Sequence, residues 1–271
     1  MKKKLPFIAF LGLFIACSGS GRIEDALADA PSAPETPQRA PVLSYRVVNA
    51  YPHDTEAFTQ GLLFLEGLVY EGTGLRGRSS LRKVDLASGA VLQQTDIDDR
   101  FFGEGVTVFG DRVYQLTWQS GVALVYDKDT FEPLFNYTYD TEGWGLTHDG
   151  ESLIMSDGSS DIYFRDPGTF AETRRIRVTD GGRQVTRLNE LEYVDGEIYA
   201  NVWQTDRIAR IDPATGKVNA WLDLSGLLSP QERRGADVLN GIAHLPDSGR
   251  LLVTGKLWPK LFEIETVVPE D

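Results

Sequence analysis

Five positions repeat their surroundings along the chain but not their chemistry: Gln60, Glu104, Trp144, Asn189 and Asn240, at steps of 44, 40, 45 and 51 residues. Four precede a glycine (Gly61, Gly105, Gly145, Gly241), the other precedes Glu190, and a Leu, Val or Ile follows in every case. A second equivalent position lies 14 residues on in four repeats and 16 on in the fifth, at Gly74, Trp118, Gly158, Trp203 and Lys256. The two sets together offer one carboxylate, one ammonium, three amides and three indoles. A purely structural channel would be better served by small or apolar residues, whereas a few polar groups converging among aromatics have the form of a small-ligand site. Taken alone, Glu104 reads either as a proton-transferring group or as half of a structural ion pair with Lys256, because an unpaired inward carboxylate is costly. Each Trp has packing between units as its rival role, and each amide has the capping of strand-end backbone groups.

The elements that must position these residues follow from the turns. Glu66-Gly67, Gly110-Asp111, Asp149-Gly150 and Asp195-Gly196 separate alternating apolar runs and predict hairpins. Ten residues after the first four anchors come Tyr70, Tyr114, Ile154 and Tyr199 on a second strand. Third strands end near an Asp, at Leu81–Asp85, Val122–Asp127, Ile162–Asp166 and Ile208–Asp212. An Asp at that place can bond its own following backbone and make the next turn. Fourth strands follow at Val91–Ile97, Leu134–Thr138, Thr173–Val178 and Val218–Leu222. Four strands per repeat of about 40–45 residues point to β-propeller blades. The fifth repeat stops after a third strand at Lys260–Ile264, and Tyr45–Ala50 can supply its fourth. The expectation is an all-β chain forming a single five-bladed β-propeller of four-stranded blades, its ring closed by an N-terminal strand that pairs into the last blade.

The segments FTQG (Phe58–Gly61), FGEG (Phe102–Gly105), EGWGLT (Glu142–Thr147), LNELEY (Leu188–Tyr193), NVW (Asn201–Trp203), LNGIA (Leu239–Ala243) and TGKLWPKLFEI (Thr254–Ile264) occur in order along the chain. They resemble the plant and bacterial type of glutaminyl-peptide cyclotransferase, over about Val42 to Ile264. The resemblance implies a five-bladed propeller unrelated to the zinc-dependent animal-type enzymes. It also implies an acyltransferase that converts the N-terminal Gln of a peptide or protein to pyroglutamate with release of ammonia, without metal or cofactor. On this reading Glu104 is the catalytic general base and then general acid. Asn189 and Gln60 grip the substrate amide or stabilise its developing oxyanion, and Lys256 pairs with Glu104 or stabilises charge on the carbonyl oxygen. Trp118, Trp144, Trp203 and Phe58 wall the pocket, and Asn240 is a fifth polar contact or a turn device. The reading from another class is a non-catalytic propeller that binds peptides or sugars in an aromatic channel.

Composition narrows the alternatives. The charge of −13 repels phosphate backbones, so nucleic acid is not an expected partner. Three His and one Cys are too few for a zinc site built mainly from those residues. Gly72-Thr73-Gly74-Leu75-Arg76-Gly77 fits a dinucleotide-binding pattern, but the strand expected after it leaves no place for the required helix. Asp96, Asp98 and Asp99 lack the glycine and terminal glutamate of a dedicated calcium loop. Residues 1–17 combine Lys2, Lys3 and Lys4 with an apolar run from Leu5 to Ala16, too short to span a bilayer as a helix. Phe14-Ile15-Ala16-Cys17 resembles a bacterial lipoprotein box with Phe14 in place of Leu. These features predict export to the bacterial cell envelope, in the periplasm, with a lipid on Cys17 as the membrane anchor; the alternative is ordinary cleavage nearby, with Cys17 removed or left as an idle thiol. Residues 18–41, rich in Ala, Pro and Ser, are expected to form a flexible tether, and 42–271 a monomeric catalytic domain.

Overall fold

The computed structural model describes residues 38–268. The leader at 1–17, Cys17 and the tether as far as residue 37 lie outside the described residues. Every regular element is a strand. After β1 (Val42–Pro52), one sheet is the meander β2 (Thr59–Leu65), β3 (Leu68–Thr73), β4 (Ser80–Asp85) and β5 (Val91–Asp96). The next is β6 (Gly103–Phe109), β7 (Arg112–Thr117), β8 (Val122–Asp127) and β9 (Pro133–Thr138). The third is β10 (Leu146–His148), β11 (Leu153–Ser156), β12 (Asp161–Arg165) and β13 (Glu172–Arg177). A small hairpin, β14 (Thr179–Asp180) with β15 (Arg183–Gln184), intervenes and has no counterpart in the sequence-based reading. The last strands are β16 (Leu188–Val194), β17 (Glu197–Val202), β18 (Arg207–Ile211), β19 (Val218–Asp223), β20 (Leu239–Leu245), β21 (Arg250–Gly255) and β22 (Lys260–Val267). They form one eight-stranded sheet in the order β16-β17-β18-β19-β1-β22-β21-β20. Within it β1 runs antiparallel to β22 from Ser44↔Val267 to Pro52↔Lys260, with a bulge between Val47 and Asn49. Its first two residues, Val42 and Leu43, lie parallel to Trp221 and Leu222 of β19. The result is an all-β, propeller-like assembly of antiparallel four-stranded runs.

Local chemistry accounts for the meanders. Glu66-Gly67 and Asp195-Gly196 take positive φ at both residues, the backbone of a two-residue hairpin whose twist matches its strands. At the third turns one Asp oxygen accepts several backbone N–H groups: Asp127 from Asp129 and Thr130, Asp166 from Gly168 and Thr169, Asp212 from Ala214 and Thr215. The outer strands β5, β9 and β13 are largely exposed and β19, covered by β1, is half-buried, whereas the inner strands β2, β6 and β20 are buried over most of their length. Apolar side chains from neighbouring runs meet between the sheets, as where Tyr70 and Leu81 join Val106, Val113 and Phe131.

The inner strands approach each other at backbone distance. A Cβ on Gly61 would lie 2.3 Å from the Val106 nitrogen, and one on Gly145 would lie 2.0 Å from the Asn189 carbonyl oxygen. Where the fourth repeat has Glu190 instead, its carboxyl crosses to the first and last runs. Oε1 accepts from the Leu62 N–H at 3.2 Å and Oε2 from the Ile242 N–H at 2.8 Å. Contact with the fold also begins ahead of Val42, since the Ala40 N–H donates to Asp180 Oδ1 at 2.8 Å.

Candidate active site

The anchors stand at or just before the start of an inner strand, and the second set follows the neighbouring strand's end. A recurring backbone bond fixes the two sets against each other. The N–H of Gly74, Trp118, Trp203 and Lys256 donates to the carbonyl of Phe58, Phe102, Arg187 and Val238, two residues before the respective anchors, at 2.8–3.0 Å. This latch gathers the side chains at one end of the molecule. There a cavity of about 570 Å³ is lined by Phe58, Gln60, Glu104, Trp118, Trp144, Asn189, Trp203 and Lys256, with Phe102, Gln204, Asp237 and Val238 completing the wall.

Glu104 is only 4% exposed, and Gln60 Nε2 donates to its Oε1 at 3.0 Å. Burial is the largest influence on this carboxyl; Lys256 opposes it, Glu142 adds to it, and the pKa stands well above the ordinary 4.5. Asn240 is a correction to the expected set, because it does not line the cavity. It is fully buried behind Gln60, with its Nδ2 donating to Gln60 Oε1 at 3.2 Å and to the Thr59 carbonyl at 3.0 Å. That contact fixes which end of the Gln60 amide faces Glu104. Gln60 thus has its oxygen and one N–H committed within the protein, which suits orienting the carboxylate.

Lys256 also departs from one of its expected roles. None of the ion pairs among the described residues joins it to Glu104; its Nζ lies 4.8 Å from the centre of the Phe58 ring, a cation–π contact. Burial lowers its pKa, opposed by the charges of Glu104 and Asp237. Asn189 is buried, its backbone oxygen accepts from Ser156 Oγ at 2.7 Å, and its side-chain Oδ1 has no partner in the protein. A buried amide oxygen without a partner in the protein is a group that a bound molecule or a water would have to satisfy.

The aromatic walls fall into two groups of rings in contact. Phe58 meets Phe102 edge-on at 6.1 Å, Phe102 meets Trp118 at 5.6 Å, and Trp144 meets Trp203 edge-on at 5.6 Å. The glycines of the second set make room for them: a Cβ on Gly74 would lie 2.4 Å from the Phe102 ring, and one on Gly158 would lie 2.7 Å from Trp144. Glu142, missed in the sequence, accepts the indole N–H of both Trp118 at 2.7 Å and Trp144 at 2.9 Å. Phe102 was missed as well. Both occupy the position two residues before an anchor, together with Phe58, Arg187 and Val238, so a third repeat-equivalent set carried the signal. Gln204 and Asp237 had no such signal beyond adjacency to Trp203 and Val238.

Comparison with known proteins gives a consistent result. The model of the glutamine cyclotransferase family matches residues 23–266. A glutaminyl-peptide cyclotransferase of Arabidopsis thaliana is 46% identical over 224 residues, covering 81% of this chain and 70% of that protein. The crystal structure of Myxococcus xanthus glutaminyl cyclase superposes with a TM-score of 0.77 at 36% identity, covering 85% of this chain and all of that one.

Proposed function

The chain belongs to the glutamine cyclotransferase family, and we propose that its cyclisation of N-terminal glutamine runs through Glu104 in the aromatic cavity. The protein is a glutaminyl-peptide cyclotransferase, an acyltransferase that releases ammonia and leaves pyroglutamate. The α-amine and the side-chain carboxamide belong to one residue, so the first task is to hold them in a near-attack conformer. The walls of Trp118, Trp144, Trp203, Phe58 and Phe102 suit that task and exclude competing water. Glu104 takes the proton that the amine sheds as the new N–C bond forms. It returns that proton to the departing nitrogen as the C–N bond of the carboxamide breaks, and ammonia leaves. A carboxyl with a raised pKa is better matched to both transfers than an ordinary one. Asn189 grips the carboxamide with its unpaired amide, and the Lys256 ammonium stabilises charge on the carbonyl oxygen.

The observation that carries this reading is a single buried carboxyl, oriented by an amide whose own orientation is fixed, inside an aromatic-walled cavity of about 570 Å³. Counting the eight-stranded sheet as two runs, with β1 completing the last, supports five blades closed by the N-terminal strand. The leader and Cys17 support a lipid-anchored, periplasmic protein, and a cavity lined by residues of one chain is in keeping with a monomer. The test is ammonia release from a peptide with N-terminal Gln after EDTA treatment, with mass spectrometry of the product. Wild type should convert it and folded Glu104→Gln should not; equal activity in both would overturn the assignment. Radiolabelled fatty acid entering wild type but not Cys17→Ser would test the anchor.

A further inference from the structure

Glu142 is the one acidic group that touches two walls of the cavity at once. Its Oε2 accepts from Trp118 Nε1 at 2.7 Å and from Trp144 Nε1 at 2.9 Å, and its Oε1 accepts from Gln119 Nε2 at 3.1 Å. Trp118 follows β7 of the second sheet, and Trp144 precedes β10 of the third. One half-buried carboxylate therefore joins indoles carried by two different sheets, and through Trp144 reaches Trp203. Its three donors all come from groups that do not titrate in the working range, so nothing at this site consumes its negative charge. We propose that Glu142 is a positioning residue for the cyclisation, holding Trp118 and Trp144 in register as the jaws that fold the glutamine side chain and setting the charge felt by Glu104.

The electrostatics agree with the geometry. The three N–H donors outweigh burial and hold the Glu142 carboxyl below its ordinary value, while its charge adds to the rise at Glu104. Two carboxyls in one site are thereby pushed apart, one kept ionised and one able to exchange a proton. Charge-assisted N–H bonds to a carboxylate are also the stronger and more directional kind, which suits a part that must keep two planar rings at a set angle.

This role rests on the cyclase reading, and one set of measurements separates the two. Wild type and Glu142→Gln are compared for ammonia release across pH, with tryptophan emission and circular dichroism recorded on the same samples. The amide keeps one oxygen for the two indoles that share Oε2, but it brings no charge to strengthen those bonds and sets an NH₂ where Oε1 accepts from Gln119. We expect kcat/KM to fall between about 10- and 100-fold, the scale of a misplaced near-attack geometry. Removing the charge lowers the Glu104 pKa, so the acid limb of the rate profile should move to lower pH, which a merely structural role would not do. Trp118→Phe combined with Glu142→Gln should cost less than the sum of the single losses, because one removes and the other weakens the same charge-assisted bond. Should the amide variant fail to fold, Glu142→Asp keeps the charge but shortens the arm, so its turnover should fall while the acid limb stays in place. A folded Glu142→Gln with its acid limb unmoved and losses additive with Trp118→Phe would overturn the role, as would Glu142→Asp with wild-type turnover. A wild type that released no ammonia would overturn the cyclase reading, and this role with it.

Discussion

Replacing Glu104 by Gln should stabilise the fold at neutral pH while sharply slowing the reaction, and the size of the gain should depend on pH in a way the structure dictates. The side chain is 4% exposed, accepts one protein hydrogen bond, from Gln60, and has no cation in contact. The carboxyl titrates well above 4.5 in the folded protein but near 4.5 once unfolded, so between those values the native state holds the proton more tightly. The raised-pKa contribution is therefore fully present below pH about 4.5 and is lost as pH rises through the folded value. A Gln at 104 accepts the same Gln60 N–H and has nothing to titrate. Below pH about 4.5 the two proteins should be equally stable, and above it the variant should gain at up to about 1.4 kcal/mol per pH unit, the limit for one proton. The attraction of Lys256 for Glu104 is already contained in that folded pKa, so it sets where the gain levels off and not its sign. Urea unfolding at a series of pH values from 4 to 8, with ammonia release on the same preparations, measures both sides. Turnover should fall by about 10²–10⁴-fold, the usual contribution of a positioned acid–base group. Stability curves that run parallel, or a variant that weakens relative to wild type as pH rises, would show that the carboxylate is satisfied where it sits and refute the reasoning.

Lys256→Met removes a charge that pulls the Glu104 pKa down, so the acid limb of the rate profile should shift to higher pH, opposite to the shift expected at Glu142. Gly145→Ala would place a Cβ 2.0 Å from the Asn189 carbonyl oxygen, and the two inner strands must part to admit it. The expected cost is about 1–3 kcal/mol in urea unfolding, with a raised KM as Asn189 moves. His53 donates to Glu71 at 3.1 Å and to the Trp258 carbonyl at 2.7 Å, with Asp54 and Arg82 beside the pair. Burial lowers the His53 pKa but Glu71 outweighs it and the net is raised above 6.5; burial raises the Glu71 pKa but His53 outweighs it and the net is lowered below 4.5. The pair thus stabilises fully between about pH 4.5 and 6.5, losing strength below as Glu71 protonates and above as His53 loses its proton. Glu71→Gln should cost about 3–5 kcal/mol in that window, narrowing on either side, as read by melting temperature against pH.

Much of the architecture was legible because it is written locally. An Asp that caps its own turn, or a Glu-Gly pair at positive φ, needs only neighbouring residues, and the period of the repeats follows from them. The gathering of Glu104, Asn189, Lys256 and the three tryptophans was legible for the same reason, since equivalent places in repeats converge when the repeats stack about a common axis. The β14–β15 hairpin was not, because it belongs to no repeat and Asp180 finds its partner at Ala40, 140 residues away. Nor was Glu190 legible as a tie across the inner strands, since Leu62 and Ile242 lie in other runs.

The site divides along the same line. By itself the sequence determined the repeat positions of Gln60, Glu104, Asn189, Lys256 and the three indoles, which line the cavity together with Phe102, Gln204 and Asp237. Only the tertiary structure decided what each does to the others. Asn240 stands behind Gln60 rather than in the cavity, Lys256 turns to Phe58 rather than to Glu104, and Glu142 clasps two indoles from separate sheets. Periodicity fixes the place of a Cα within its own strand, but hydrogen bonds and pKa shifts depend on distances of a few ångströms between side chains of different strands. Those distances exist only once the sheets have packed.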